Sequence, residues 1–324
     1  MDPIEVVDIH THVVPVDVMS APGRGLPSVV PGADPDHAEL LTAGGRRRVL
    51  PATAWDLGLR LRDMDEQGVT RQVLSPLPDL FAYDAETAPA TDWCRAVNDW
   101  TAAAVRGRPG RFDGLAILPL QDPEAAAHVL DEVADGPLCG VLLGSSVAGT
   151  PLTDQRYEEI FRLAAALDLC VLVHAVPGPH FAAVAGRTQN RALAAAASLP
   201  GEISSVGLGL LAAGQAGRPG PRIALSHCGG GMPLLTGRLA AAQGEPADPQ
   251  RFWYDSVAFD HSLVDAVAER VGPRRVLAGS DYPSALPAWP PHVGAASAEN
   301  AAAFLGPRSQ LHQQLHAAPS PRSA

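Results

Sequence analysis

Positive charge, cysteine and long apolar runs are all scarce in this sequence, and each shortage excludes a class of protein. Among 324 residues, 24 Lys and Arg stand against 35 Asp and Glu, so the formal net charge is −11. A chain this acidic is a poor partner for nucleic acid or for an anionic membrane surface, because both repel it. A small-molecule partner is therefore expected, and an anionic one would need a local positive centre such as a metal ion or an arginine.

The N-terminus and the apolar runs carry no targeting signal. The opening residues, MDPIEVVDIHTH, have neither the basic region nor the long apolar core of a signal peptide. No run of about 18 apolar residues is present, so the sequence predicts no membrane span. The four cysteines form no C-x-x-C pair, which favours buried free thiols over a metal or disulfide framework. Together these features predict a cytoplasmic protein.

Short apolar runs alternate with helix-like segments along most of the chain. The runs are nearly continuous in apolar residues, as parallel strands covered on both faces are. Eight such strands with helices between them predict an α/β fold, a (β/α)8 TIM barrel that forms a single domain over residues 1–306. A doubly wound open sheet is the alternative, but no G-x-G-x-x-G motif follows the first strand. The candidate strands are 6–12, 69–74, 114–118, 140–143, 170–174, 223–227, 253–256 and 276–279.

Three segments break this alternation. Residues 15–53 follow the first strand and are rich in Pro and Gly, which predicts a lid-like insertion loop. Residues 177–191 follow the fifth strand, and we expect a second irregular segment there. Residues 307–324 are polar and contain Pro and Ser, so a flexible tail is expected.

Four histidines and one aspartate fall at the ends of predicted strands. His10 and His12 are two residues apart in the first strand, and residues i and i+2 of a strand point to the same side. His174 ends the fifth strand, His227 ends the sixth and Asp281 follows the eighth. Barrel enzymes place their catalytic groups at these carboxyl ends. Imidazoles with a carboxylate suit Zn²⁺ or another divalent ion such as Mn²⁺, so the pattern predicts a metal site.

Two features near this set can be interpreted either as ordinary structural residues or as parts of the site. The glycines at 229–231 directly follow His227 and are expected to let the backbone approach the metal site closely. A phosphate loop is disfavoured because no Lys-Ser/Thr follows them. Asp255 lies near the end of the seventh predicted strand and is either an ordinary strand residue or a partner of a metal ligand.

The motifs around these residues resemble those of the amidohydrolase superfamily, in its branch of metal-dependent nonoxidative decarboxylases. The likeness covers most of the chain, and the His-x-Gly-Gly-Gly and Gly-Ser-Asp-Tyr-Pro pieces are its most specific parts. The matching pieces include Asp8-Ile-His-Thr-His12, Trp55-Asp56, Arg62-Asp-Met-Asp-Glu-Gln-Gly-Val69, Ser226-His-Cys-Gly-Gly-Gly231 and Gly279-Ser-Asp-Tyr-Pro283.

The resemblance implies a role for each residue of the set. The metal ligands would be His10, His12, His174 and Asp281. His227 would be the general acid/base that activates the metal-bound water, and Asp281 is implied in proton transfer in some relatives.

Substrate binding is implied for one arginine and one tryptophan. Arg48 lies seven residues before Trp55, where relatives have an arginine that binds a substrate carboxylate. Its neighbours Arg46 and Arg47 leave the register open, and an exposed cluster is the alternative. Trp55 is expected to line the pocket, although a tryptophan at a helix start is as often a packing residue.

The chain departs from the family pattern around the expected substrate. Ala175-Val176 replace a common Pro-Trp after the fifth-strand histidine, and Ser284-Ala285 stand where an aromatic residue is frequent. The short segment 238–252 lacks the arginine that reaches a neighbouring subunit's substrate in relatives, so a homodimer is expected by analogy alone. These changes concern the pocket and leave the metal chemistry intact. A differently shaped acid, for example one of secondary metabolism, fits them.

Three functions are consistent with this sequence. The first is a metal-dependent carboxy-lyase acting on an unsaturated or aromatic carboxylic acid. The second is a hydrolase or hydratase that uses the same metal-bound water on an ester, lactone, amide or enol, because the chemistry of a barrel is set by its loops. The third is a non-catalytic binding protein on an old enzyme fold, and the intact five-residue set speaks against it.

Overall fold

The computed structural model describes residues 5–18, 25–32, 34, 36–42, 45–214, 220–284 and 297–316. The strands are β1 (Val6–Val13), β2 (Ser28–Pro31), β3 (His37–Leu41), β4 (Arg47–Pro51), β5 (Val69–Pro76), β6 (Phe112–Ala116), β7 (Gly140–Gly144), β8 (Ser146–Val147), β9 (Thr150–Pro151), β10 (Cys170–His174), β11 (Ile223–Leu225), β12 (Trp253–Asp255) and β13 (Val276–Leu277). The helices are α1 (Leu57–Glu66), α2 (Thr87–Gly107), α3 (Pro123–Ala134), α4 (Glu158–Ala166), α5 (Pro179–Thr188), α6 (Arg191–Ala212), α7 (Met232–Gln243), α8 (His261–Val271), α9 (Ser297–Leu305) and α10 (Gln310–His316).

Eight of these strands form one parallel sheet that closes into a barrel. The strand order is β1-β5-β6-β7-β10-β11-β12-β13, so chain neighbours are also sheet neighbours. The two edges meet where the segment after β13 runs parallel to β1, with a bridge between Thr11 and Tyr282. The amide of His12 donates to the carbonyl of Tyr282 at 2.7 Å, and the amide of Ile9 donates to the carbonyl of Ala278 at 2.8 Å. The predicted (β/α)8 barrel is confirmed, and the open doubly wound sheet is excluded.

The strands are buried on both faces, as their apolar runs indicate. Alternate residues of one strand enter different hydrophobic clusters, because successive side chains point to opposite faces of a sheet. Val141 and Leu143 of β7 pack in the cluster that includes Ile160 of α4. Leu142 of the same strand packs with Leu172 in the second cluster. A strand covered in this way has no polar face, which explains its nearly continuous apolar sequence.

The insertion after β1 is not the irregular loop that its Pro and Gly content predicts. It contains β2, β3 and β4 as a three-stranded antiparallel sheet, in which Leu40 pairs with Arg48. Leu40 and Leu50 are buried and pack with the second cluster, so this sheet lies on the barrel. Strands of four or five residues, split by Pro and Gly, are too short for a clear alternating pattern. Parts of the predicted lid, at 19–24, 33, 35 and 43–44, lie outside the described residues.

The segment after the fifth barrel strand is also more regular than its sequence suggests. Helix α5 occupies Pro179–Thr188, so the expectation of an irregular segment at 177–191 is wrong. Its proline stands at the start of the helix, where a missing amide costs nothing. Helix α6 then begins after Asn190, whose side chain caps it by accepting from the amide of Leu193 at 3.0 Å.

The C-terminal segment is part of the fold up to residue 316. Helix α10 packs Leu311 in the core with 1% exposure, which corrects the expected flexible tail for this stretch. The amide of Gln310 donates to the buried carboxylate of Asp113 at 2.7 Å. Residues 317–324 of the predicted tail lie outside the described residues.

Within the described part of the chain, one helix is long and apolar enough to span a membrane when length and composition alone are considered. This is α6, with 22 residues. Ile203, Val206 and Leu210 on this helix are buried in the core cluster of the barrel. An outer helix of a barrel passes the same test, since one of its faces must be apolar.

Candidate metal centre and its cavity

Four of the five predicted residues meet at the carboxyl ends of the barrel strands. One ligand atom each from His10, His12, His174 and Asp281 forms a cluster in which all atoms lie within 4.8 Å of one another. The first two histidines come from β1 and the third is the last residue of β10. Asp281 reaches them because its amide donates to the carbonyl of His10 at 2.8 Å, which ties the end of the chain's last strand to its first.

The distances in this cluster suit a single cation. His12 Nε2 lies 3.0 Å from Asp281 Oδ1, and His10 Nε2 lies 3.2 Å from His12 Nε2. His174 Nδ1 faces the carbonyl of Ala175 at 2.8 Å, so it donates there and leaves Nε2 with a free lone pair. That Nε2 is buried and has no hydrogen-bond partner among the described residues. A buried nitrogen without a partner calls for a ligand. Three imidazole nitrogens and one carboxylate oxygen therefore fit a divalent transition metal.

Electrostatics keep three of the four donors in the protonation state that a metal needs. Burial lowers the pKa of His12 to about 4 and lowers the pKa of His174 well below its usual value. Burial would raise the pKa of Asp281, but the hydrogen bond from His12 and the neighbouring imidazoles hold it far below the ordinary range. Near neutral pH these two imidazoles are therefore neutral and the carboxylate is charged, as metal ligands must be. For the fourth donor, His10, burial lowers the pKa, but the hydrogen bond and charge of Asp255 outweigh burial and raise it.

Asp255 holds the ring nitrogen of His10 that faces away from the metal cluster. Its Oδ2 accepts from His10 Nδ1 at 2.5 Å, and both residues are fully buried. The same carboxylate accepts from the amides of His227 at 3.1 Å and Cys228 at 2.8 Å. The structure thus favours the functional interpretation of Asp255. A carboxylate behind a ligating imidazole fixes its tautomer, so that His10 Nε2 faces the cluster.

His227 lies beside the four-atom cluster rather than in it. Its ring centroid is 5.1 Å from that of His174 and 5.7 Å from that of His10. Its Nε2 is buried and has no hydrogen-bond partner among the described residues. Burial, followed by the charge of His10, lowers the pKa of His227, so the ring is neutral near pH 7 and can accept a proton.

The glycines after His227 serve a different contact from the expected one. Gly230 has φ +59, and a Cβ added there would lie 1.8 Å from the carbonyl oxygen of Pro200 in α6. A Cβ on Gly229 would lie 2.6 Å from the ring of Tyr254. The close approach is therefore to the neighbouring helix and strand. It positions His227 at the start of the turn instead of bringing backbone to the metal site.

A cavity of about 670 Å³ opens over the cluster, with His12 and His174 in its wall. This volume is typical of a site for a small organic molecule. Arg48 also lines it, and its Nη1 contacts Asp79 Oδ2 at 2.8 Å. Arg46 lines the cavity as well and pairs with the same aspartate.

The register of the arginine cluster follows from strand alternation. Arg47 points away from the cavity and contacts Glu39 at 2.8 Å, with its side chain 71% exposed. Arg46 and Arg48 are two residues apart and face the same side. The predicted substrate residue Arg48 is therefore placed at the cavity. Arg46 was not predicted as a site residue, although the i and i+2 spacing was a signal for it.

Trp55 is placed elsewhere. It is half-buried and packs against the hydrophobic cluster that contains Leu40 and Leu50. It is not among the described residues that line the cavity over the metal cluster. The structure gives Trp55 a packing contact, and its role in substrate binding stays a prediction.

Two buried charged residues that support the site are visible only in three dimensions. Arg60 of α1 is fully buried and donates to the carbonyl of His12 and, at 2.9 Å, to Gln72. Its guanidinium also lies 4.7 Å from the ring centroid of Tyr282. Asp8 accepts from the hydroxyl of Ser280 at 2.6 Å, just before Asp281. Both residues hold the last strand segment against the first.

Comparison with known proteins agrees with this geometry. The family model described as "Amidohydrolase" matches residues 7–316. The curated relatives that the chain resembles include enzymes named 2-amino-3-carboxymuconate-6-semialdehyde decarboxylase. The enzyme of that name from Dictyostelium discoideum is 27% identical over 304 residues, covering 86% of this chain and 82% of its own length.

Two solved structures show the same fold. The 5-carboxyvanillate decarboxylase from Sphingomonas paucimobilis has a TM-score of 0.70 at 22% identity, covering 98% of this chain and 94% of its own. The dihydroxybenzoic acid decarboxylase from Polaromonas sp. JS666, solved with bound manganese and the inhibitor 2-nitroresorcinol, has a TM-score of 0.65 at 21% identity over 87% of each chain. At these identities the two structures establish a shared fold.

Proposed function

This chain belongs to the amidohydrolase family, and from that premise we propose that it is a metal-dependent nonoxidative decarboxylase of an unsaturated or aromatic carboxylic acid. One observation carries the proposal. Four donor atoms of His10, His12, His174 and Asp281 converge within 4.8 Å beneath a cavity that Arg48 also lines. Relatives in this family are decarboxylases by name, and one solved neighbour holds manganese.

The residues divide the work of the reaction between them. Arg48 binds the substrate carboxylate with its planar fork and orients the bond that breaks. His227 Nε2, kept neutral by burial, can take a proton from an oxygen of the substrate or of water. It gives this proton to the carbon that loses carbon dioxide, where the electron pair of the broken carbon–carbon bond forms the new carbon–hydrogen bond. The oxygen regains a proton from solvent. A divalent cation held by the four ligands would supply Lewis acidity toward an oxygen of the substrate or of water. We assign Zn²⁺ first and Mn²⁺ second as that cation.

The cavity supports an aromatic or conjugated substrate. Phe81 and Phe181 line it, and Phe81 stacks on Tyr83 with ring centroids 4.8 Å apart. Flat apolar walls of this kind suit a planar ring.

The four cysteines are free and buried, which is compatible with the reducing cytoplasm expected from the sequence.

The test combines metal analysis with a direct assay for carbon dioxide. The purified protein is expected to bind about one divalent ion per chain, and a His10→Ala/His12→Ala variant is expected to lose it. The metal-loaded protein is then incubated with hydroxylated benzoates and conjugated dienoic acids that carry ¹³C in the carboxylate. Release of ¹³CO₂ that disappears in the double variant supports the proposal. His128→Ala, on the exposed face of α3, is the matched control.

Two outcomes would contradict the proposal. Absence of bound metal, even after reconstitution with Zn²⁺ and Mn²⁺, would remove the metal centre. Hydrolysis of esters or lactones, without ¹³CO₂ from any acid, would favour the hydrolase alternative, which shares the same ligands.

A further inference from the structure

A second cavity borders the site, beside the insertion sheet. Its volume is about 670 Å³, and its wall shares His12, Arg48 and Leu77 with the cavity over the metal cluster. We call it the β4 cavity, because four consecutive residues of that strand, 48–51, line it. Since β4 is an edge strand of the insertion sheet, a cavity beside it contacts side chains of both faces. The two cavities therefore meet at one metal ligand and at the arginine assigned to the substrate carboxylate.

The walls of the two cavities differ in charge. Besides Arg48, the charged side chains that line the cavity over the metal cluster are Arg46, Asp79, Asp84 and Arg191. Among the described residues that line the β4 cavity, Arg48 is the only arginine or lysine, and none is an aspartate or glutamate. Apolar side chains reach its wall from three segments, for example at Val14, Leu50 and Pro283. A wall with one cation and an apolar surface suits an acid with an apolar arm.

Two large polar side chains of the β4 cavity have partners outside its described wall. Tyr282 donates its hydroxyl to Asp63 at 2.5 Å, and His37 Nδ1 contacts Asp34 at 2.7 Å. Val49, in contrast, is an apolar residue of this wall that is 62% exposed. Burial of apolar surface is therefore the main gain that a ligand makes in this cavity.

The shared wall indicates where on the substrate an apolar arm has to lie. A carboxylate bound by Arg48 stands where the two cavities meet. Its ring then occupies the cavity over the metal cluster, whose wall includes Phe81 and Phe181. A substituent para to the carboxylate points away from Arg48, whereas an ortho substituent lies beside the carboxylate and next to the β4 cavity.

We propose that the β4 cavity is a subsite for an alkyl substituent of the substrate. The substrate class is then an aromatic acid that carries an alkyl chain ortho to its carboxylate. This inference rests on the proposed function for the placement of the carboxylate at Arg48. A volume of about 670 Å³ has room for a chain of several carbons.

Two series of probes test the subsite by binding, without turnover. One series consists of benzoates with a methyl, ethyl, propyl or butyl group in the ortho position, and the other carries the same groups in the para position. The charge is constant within a series, so the change in affinity per methylene reports burial of the chain. Titration calorimetry of the protein supplied with Zn²⁺ should show affinity rising about three- to four-fold per methylene from methyl to butyl in the ortho series.

Variants of the wall separate the β4 cavity from the cavity over the metal cluster. Ser284→Phe fills the β4 cavity and should reduce the ortho gain to less than about two-fold per methylene, while the para series and benzoate change by less than about two-fold. Val49→Ser removes apolar wall and should also reduce the ortho gain. Leu234→Ser, on α7, is the matched control, because Leu234 is 53% exposed and lines neither cavity. Circular dichroism of each variant checks its folding.

Two results would overturn the subsite. One is an ortho series in which affinity does not rise from methyl to butyl, and the other is a full rise in Ser284→Phe. A flat ortho series, with a smaller assembly in light scattering of Val49→Ser, would assign the β4 edge to a second copy of this chain. An ortho rise that Ser284→Phe removes, without ¹³CO₂ release from any acid, would keep the subsite and remove the decarboxylase. Release of ¹³CO₂ with a flat ortho series would do the reverse.

Discussion

At the scale of single residues, the structure separates the four candidate metal ligands from the candidate acid/base residue. His227 lies beside the ligand cluster with a buried and unpartnered Nε2, whereas His174 contributes its Nε2 to the cluster. The amide of His227 is held by Asp255, which also holds His10. Removal of the His227 ring therefore leaves the four ligand atoms and their support in place.

His227→Ala is accordingly expected to keep its metal and lose its turnover. General acid/base catalysis contributes about 10²- to 10⁴-fold, so kcat for carbon dioxide release should fall by that factor. Metal content by elemental analysis should stay at the wild-type value. His128→Ala again serves as the control. A fall in bound metal that parallels the fall in rate would make His227 a ligand instead.

The sequence predicts site residues when strand order alone brings them together. His10, His12 and His174 occupy strand ends, and a parallel barrel collects all such ends at one rim. Arg60 carries no such signal, because its approach to the His12 carbonyl depends on how α1 packs against the barrel. The register of Arg46 and Arg48 likewise required knowledge that residues 47–51 form a strand.

At the scale of elements, the barrel strands and the helices with clear N-capping residues can be predicted from the sequence. Helix α3 begins after Asp122, which accepts from the amides of Glu124 and Ala125. The insertion sheet and α5 were missed because Pro and Gly interrupt the insertion and stand just before and at the start of α5. A short strand gains its stability from pairing and burial rather than from its own composition, so a local pattern cannot reveal it.

The turn after β11 is an element that depends on glycine. Gly230→Ala places a Cβ at φ +59 against the Pro200 carbonyl, so we expect a loss of about 2 to 4 kcal/mol in the free energy of unfolding. Since the turn begins at His227, kcat should fall as well. Gly237→Ala, on the exposed face of α7 with open space around it, is the matched control and should be neutral or stabilising by about 0.5 to 1 kcal/mol. Chemical denaturation of both variants measures the difference, and equal stabilities would refute this role of the turn.

At the scale of the whole molecule, the two ends of the barrel are built for different tasks. The carboxyl ends of the strands carry the metal centre, and the far end is sealed by the last helix. There Arg71 of β5, fully buried, contacts Asp113 at 2.9 Å and Gln314 of α10 at 2.5 Å. The barrel itself was predictable from strand count and order. The seal was not, because the segment after residue 306 is polar and, within its described part 307–316, Leu311 is the one buried apolar residue.

Deletion of residues 307–324 should therefore destabilise the protein without altering the site. The deletion removes Leu311 and exposes the core residues that pack against it. It also removes the hydrogen bonds that Gln314 makes with Arg71 and that the Gln310 amide makes with Asp113. Lost apolar burial and lost hydrogen bonds to charged groups predict a decrease of at least about 3 kcal/mol in the free energy of unfolding. A chain that ends at His316 keeps every one of these contacts and should match the full-length protein. Denaturant unfolding of the three proteins tests the role of α10.

The seal and the ligand cluster lie at opposite ends of the strands. The folded fraction of the chain that lacks residues 307–324 should therefore still bind about one metal ion. Unchanged stability after this deletion would refute the role of α10 as a seal.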